Sequence, residues 1–186
     1  MVPVTSLWLP ILVSAVIVFV ASSIVHMVLP FHRSDLKKLP REDDVMAALR
    51  PFNIPPGDYG VPLPASMKDM GSPAYIEKRT KGPAMFMTVV PSGPVSMGPS
   101  LFQWFLFSLV VNLFAAYIAS RALGPGAPYL DVFRFAGTTA FLGYSMGFVP
   151  QSIWYHKNWA TTIKSMIDGL LYGLLTAGTL GWLWPR

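Results

Sequence analysis

Four apolar runs and one long polar stretch set the pattern of this chain. Leu7 to Leu29, LWLPILVSAVIVFVASSIVHMVL, is almost unbroken in hydrophobicity. It matches the ~20 residues that an α-helix needs to cross a bilayer core. Pro10 lies in its first turn, where a missing N–H is tolerated. Leu101 to Leu123 is a second such run. Leu130 to Tyr155 is a third and less regular one, with Arg134 and Gln151 inside it and Pro150 interrupting it. Ala160 to Trp184 is the fourth. The pattern predicts an all-α membrane protein with four transmembrane helices and a proline-rich polar insertion between the first and second. The organisation expected is a first transmembrane helix over 1–30, the insertion over 31–100 and a three-helix transmembrane region over 101–186.

The insertion carries its own signals. Pro40, then Glu42, Asp43 and Asp44, then Arg50 and Pro51 predict one short helix near Arg41 to Arg50. Acids suit the positive N-terminus of a helix, and proline stops its continuation. Ala84 to Val90, AMFMTVV, is the one β-like run, bounded by Gly82-Pro83 and Pro91. Tyr59 to Leu63 is its candidate partner in a small hairpin, following the turn signal Pro56-Gly57-Asp58.

Composition strengthens the membrane reading. The chain is 53% hydrophobic and 12% charged, with a mean hydropathy of +0.47. Soluble domains carry roughly 25% charged residues. The net charge of +5 brings no basic run with interleaved aromatics, so no nucleic-acid partner is expected. There is no cysteine, which excludes disulfides, thiolate metal sites and a cysteine nucleophile. A cleaved signal peptide would want a basic region before a shorter apolar core, and the first run fits neither requirement.

Charge then sets the orientation. Arg33, Lys37, Lys38 and Arg41 crowd the end of the first span, and Lys157 and Lys164 fall on the same side of a four-span arrangement. Arg121, Arg134 and Arg186 fall on the other. The bias predicts a multi-pass cell-membrane protein with a cytoplasmic insertion and both termini outside. Trp8, Trp182 and Trp184 would mark one interface, and Trp104, Trp154 and Trp159 the other.

Two kinds of residue stand out within the spans. Gly169, Gly173, Ala177 and Gly181 recur every four residues and form a smooth ridge for close helix packing. Thr139, Gly143 and Gly147 form a candidate mate on the third span. Asn112, in the stripe Ser108, Asn112, Ala116 and Ser120, is expected to hydrogen-bond another helix. The second kind is polar. Ser22, His26, Gln103, Gln151, Lys164 and Asp168 collect near one end of the four spans and form a candidate polar layer. Lys164 and Asp168 stand four apart, so a helix-surface pair is the simplest expectation, with Lys164 reaching the headgroups. A proton or ion site built on Asp168 and His26 is the sharper one. Asp131 and Arg134 suit a surface pair three residues apart.

Catalytic patterns are missing. No serine sits in a nucleophile elbow, and Gly124-Pro125-Gly126 lacks the rest of a phosphate-binding loop. His26, His32 and His156 are the only histidines and show no His-Glu-x-x-His spacing, so neither metal nor cofactor is expected. The resulting expectation is a membrane accessory or assembly subunit without catalytic activity. Its partners would be the lipid bilayer and another membrane protein or a second copy. The alternative is a small oligomeric transporter or channel that uses the polar layer around Asp168.

Overall fold

The computed structural model describes residues 1–186, and most of the chain is helical. It divides into two compact units, Met1–Lys37 with Ser96–Arg186, and Lys38–Val95.

The larger unit is built on helices α1 (Trp8–Ser23), α4 (Gly98–Ala122), α5 (Tyr129–Ser145), α6 (Val149–Tyr155) and α7 (Trp159–Trp182). A 3-10 turn over Val4–Leu7 precedes α1 and a π turn over Ile24–Val28 continues it. Two stretches are long and apolar enough to cross a membrane, Val4–Val28 with mean hydropathy 2.5 and Gly98–Ala122 with 1.8. The third apolar run is not one helix. A 3-10 turn over Met146–Phe148 separates α5 from α6, and Pro150 lies at the start of α6. A proline there costs no helical hydrogen bond, because the first-turn N–H groups have no partner in any case.

The helices run up and down. One end of the unit is tied by short contacts from the chain termini to the last turn of α4 and the loop that follows it. Val2 N donates to Ser120 O (3.3 Å), Trp184 Nε1 to Gly124 O (3.0 Å) and Gly126 N to Pro185 O (2.8 Å). Trp184 is therefore held inside the unit rather than displayed at its edge. At the other end, Lys164 at the start of α7 reaches Phe31 O just beyond α1.

Helices α5 and α7 make the most extensive contact. The α7 ridge explains it. A Cβ placed on Gly173 would lie 3.1 Å from Phe141 N and 3.2 Å from Gly137 O, both backbone atoms. A Cβ on Gly181 would lie 2.8 Å from the Tyr129 ring, and one on Gly169 would collide with Ser145. Ala177 faces Gly137. The mate of the ridge is thus Tyr129, Gly137, Phe141 and Ser145 on α5, not the line Thr139, Gly143 and Gly147. Gly143 is turned toward Val111 of α4, and a Cβ at Gly147 would meet nothing within 4 Å. The reason is angular. Gly147 lies in the 3-10 turn, where the helical spacing of the line no longer holds.

The α4 stripe is spent inside the unit. Ser108, Val111, Asn112, Ala115, Ala116, Ala119 and Ser120 are buried, and α4 packs on α1 and α5. Asn112 Nδ2 donates to Ser108 O (2.8 Å) and to the Tyr144 hydroxyl on α5 (3.1 Å).

The smaller unit contains α2 (Glu42–Leu49), α3 (Pro73–Lys81) and two strands, β1 (Gly57–Val61) and β2 (Met85–Val89). The strands pair antiparallel, with Tyr59 opposite Met87. Thr88 Oγ1 donates to Asp58 Oδ1 across the pair (2.6 Å). Helix α3 is a second helix where the sequence reading expected one. Its signals are nonetheless in the sequence. Ser72 caps the Tyr75 N–H, Pro73 opens the helix, Lys78, Arg79 and Lys81 complement its end and Gly82 closes it.

Substitutions on the two kinds of glycine should behave differently. Gly173→Val must push α5 away from α7 and is expected to cost about 1–3 kcal/mol. Gly147→Ala meets open space and should stay within about 0.5 kcal/mol of the parent. Thermal unfolding of the purified protein measures both, and equal losses would contradict the packing described.

Candidate functional site

The site forms where the chain leaves α1. The π turn over Ile24–Val28 carries His26, and Leu29 N donates to Ile24 O (3.1 Å) to close it. Leu29 is extended, as the residue before a proline prefers to be. Pro30 then opens a 3-10 turn over Pro30–His32. This reversal lays the His32 ring on the His26 ring, with centroids 4.2 Å apart and planes at 27°. A further turn, Asp35 N to His32 O (3.0 Å), brings the Asp35 carboxylate back to His32.

Helix α7 supplies the other half. Lys164 and Asp168 sit one turn apart on it, but they do not pair with each other. Lys164 Nζ donates to Asp35 Oδ1 (2.9 Å), Ser34 Oγ (2.9 Å) and Phe31 O (2.7 Å). It also lies 5.3 Å from the centre of the Phe31 ring. The loop after α1 outcompetes Asp168 because it offers the ammonium three oxygen acceptors at once, one of them charged. Asp168 is 5% exposed and turns inward to the two imidazoles. Its Oδ2 lies 2.8 Å from His32 Nε2 and 3.7 Å from His26 Nε2.

His32 is thus held between two carboxylates. Its Nδ1 lies 2.6 Å from Asp35 Oδ2. Its Nε2 is buried, and its approach to Asp168 lies off the line that a hydrogen bond needs. Burial opposes ionisation of Asp35, but the bonds from His32 and Lys164 outweigh it and hold this carboxyl below the usual carboxylate range. His26 is the accessible member, its side chain 48% exposed.

The candidate polar layer therefore divides. His26, Lys164 and Asp168 come together. Gln103 is exposed and Gln151 half-buried, and no hydrogen bond joins either side chain to the cluster. Ser22 accepts from Trp104 Nε1 (2.7 Å), which ties α1 to α4 nearby. Asn112 belongs to the α4–α5 contact. Asp131 and Arg134 pair along the surface of α5 at 3.3 Å. Sequence reasoning missed Asp35 and gave His32 no role, because Pro30 reads as the end of a span. The signal that points to them is the spacing itself: His26 and His32 flank a proline reversal, and Asp35 follows His32 by one turn.

Together these side chains offer three donor atoms, from His26, His32 and Asp168, within 4.8 Å of one another. Such a cluster can hold a cation, or hold a proton on an imidazole between carboxylates. No known family model, curated protein or solved structure matches the chain.

Double-mutant cycles distinguish the observed pairing from the helix-surface pair. Lys164→Met combined with Asp35→Asn should show a coupling of about 1 kcal/mol in thermal unfolding, within the range for residues in contact. The same lysine variant combined with Asp168→Asn should couple less. The reverse order would contradict the geometry.

Proposed function

We propose that the chain is an integral membrane protein of four spans, serving as a non-catalytic accessory or assembly subunit. The observation that carries the membrane reading is an inverted burial pattern. Only 33% and 28% of the two most apolar windows are buried within the chain. On α1 and α4 the buried positions include Ser14, Ser22, Ser108, Asn112 and Ser120. The exposed ones include Leu12, Val16, Val20, Phe102, Val110 and Phe114. In water this arrangement would forfeit the burial of a dozen large side chains at roughly 1.5–3 kcal/mol each. In lipid it costs nothing, and small or polar residues belong at the helix contacts. Exposed Trp8 and Trp182 toward one end, and Trp154 and Trp159 toward the other, suit two headgroup layers.

The four-span reading extends this to α5–α6 and α7. It accounts for the termini and the α4–α5 loop sharing one end of the unit. By charge, that end is outside and the insertion cytoplasmic. The subunit reading is supported by how the bundle is filled. Ala15, Asn112, Ala115, Ala136, Ala140 and Thr176 are fully buried along its centre, so the helices pack on one another rather than around a pore.

The rival reading, a small oligomeric transporter or channel, draws on the contact between His26 and Asp168. Purification from native membranes in mild detergent separates the two. The protein should stay in the membrane fraction after an alkaline carbonate wash and elute with a stoichiometric membrane partner or second copy. A lone monomer whose proton flux in liposomes disappears in Asp168→Asn would overturn the subunit reading.

A further inference from the structure

We propose that His26, His32 and Asp168 bind one divalent transition-metal ion. The spacing argument against a metal concerns ligands arranged along one helix. Here they come from a π turn, the reversal after Pro30 and the first half of α7. Donor atoms around one tetrahedral zinc ion lie about 3.3 Å apart, given bonds of about 2.0–2.1 Å. The pairs at this site, 2.8 Å and 3.7 Å with the third within 4.8 Å, bracket that value.

The proton arrangement points the same way. With its Nδ1 bonded to Asp35, His32 keeps its buried Nε2 for another partner. Asp168 Oδ2 lies 2.8 Å from that nitrogen but off its hydrogen-bond line, so the two are close without being bonded, and a turn of the stacked ring would aim the nitrogen at a shared ion. The carboxylate–histidine pair is the arrangement that fixes the tautomer of a metal-bound imidazole and raises its basicity. Lys164 is committed to Asp35, so the ion contacts of Asp168 are to the two imidazoles alone. A buried carboxylate is costly unless a cation or a hydrogen-bond donor meets it, and a bound metal ion would do so here.

The donor set selects the class of ion. Two imidazole nitrogens and one carboxylate suit zinc, iron, cobalt or nickel, whereas magnesium and calcium prefer all-oxygen sites. Three protein ligands leave a further position for water or an external ligand. The half-exposed His26 ring gives the route of entry. Bound there, the ion would fasten the end of α1 to α7.

The test uses the full chain, purified in detergent without a histidine tag and stripped with a chelator. Equilibrium dialysis with Zn²⁺ should give one ion per chain. Co²⁺ should give the visible bands of a low-coordinate nitrogen–oxygen site and be displaced by Zn²⁺. His26→Ala and Asp168→Asn should each weaken Zn²⁺ binding by at least about tenfold, and Asp35→Asn by about 10–100-fold. His156→Ala should leave it unchanged. Should Asp168→Asn fold poorly, His26→Ala still decides, because its side chain is half exposed. Failure of the parent to retain stoichiometric Zn²⁺, affinity unchanged in His26→Ala, or displacement of Co²⁺ by equimolar Mg²⁺ would overturn the proposal.

Discussion

The contact between α5 and α7 is the constraint on which the larger unit depends. Gly169, Gly173 and Gly181 remove the side chains that would hold the two backbones apart, and α5 fills the space with Ser145, Phe141 and Tyr129. On the membrane reading proposed above, helices associate through close packing and hydrogen bonds, and both need small residues at the seam. This seam fixes the rotation of α7. Once Gly173 faces α5, Asp168, Tyr172 and Thr176 are carried into the interior on the same helix. The burial of Asp168 is therefore a consequence of packing elsewhere on α7, and the His26–His32 stack is what meets it.

That consequence ties the fold to the site. A carboxylate near the end of an apolar helix has two inexpensive fates, reaching water or finding a partner. Lys164 was the nearest candidate in sequence, but the Pro30 reversal offers it Phe31 O, Ser34 and Asp35 instead. The two charges of α7 are thereby separated. One anchors the segment after α1, and the other is left to the imidazoles. A loop of a few residues thus replaces an ordinary ion pair with a cluster of three donor atoms within 4.8 Å of one another.

Much of the helical framework was legible in the sequence, because hydrophobic length and small-residue spacing act locally. The α7 ridge, the Glu42–Leu49 helix and the pairing of the Tyr59 region with Met85–Val89 follow from patterns within short windows. The break between α5 and α6 was legible only as a disturbance at Pro150. The partner of the ridge was not, since a four-residue repeat on two helices does not say which rotation brings them together. Thr139–Gly143–Gly147 has the spacing, but Gly143 meets α4 and Gly147 meets nothing. The site was half legible. His26 and Asp168 could be placed at one end of the spans, whereas His32 and Asp35 depend on a chain reversal whose direction no periodicity encodes.

The central claim is that four segments cross the membrane, and the absence of native cysteine makes it directly measurable. Single cysteines at exposed positions, Ala65→Cys, Pro125→Cys and Lys157→Cys, can be tested with an impermeant thiol reagent on intact cells and on inverted vesicles. The four-span account predicts that Pro125→Cys reacts only from outside, and that Ala65→Cys and Lys157→Cys react only from the cytoplasmic side. Labelling of Lys157→Cys from the same side as Pro125→Cys would contradict it, leaving α1 and α4 as the membrane-crossing helices.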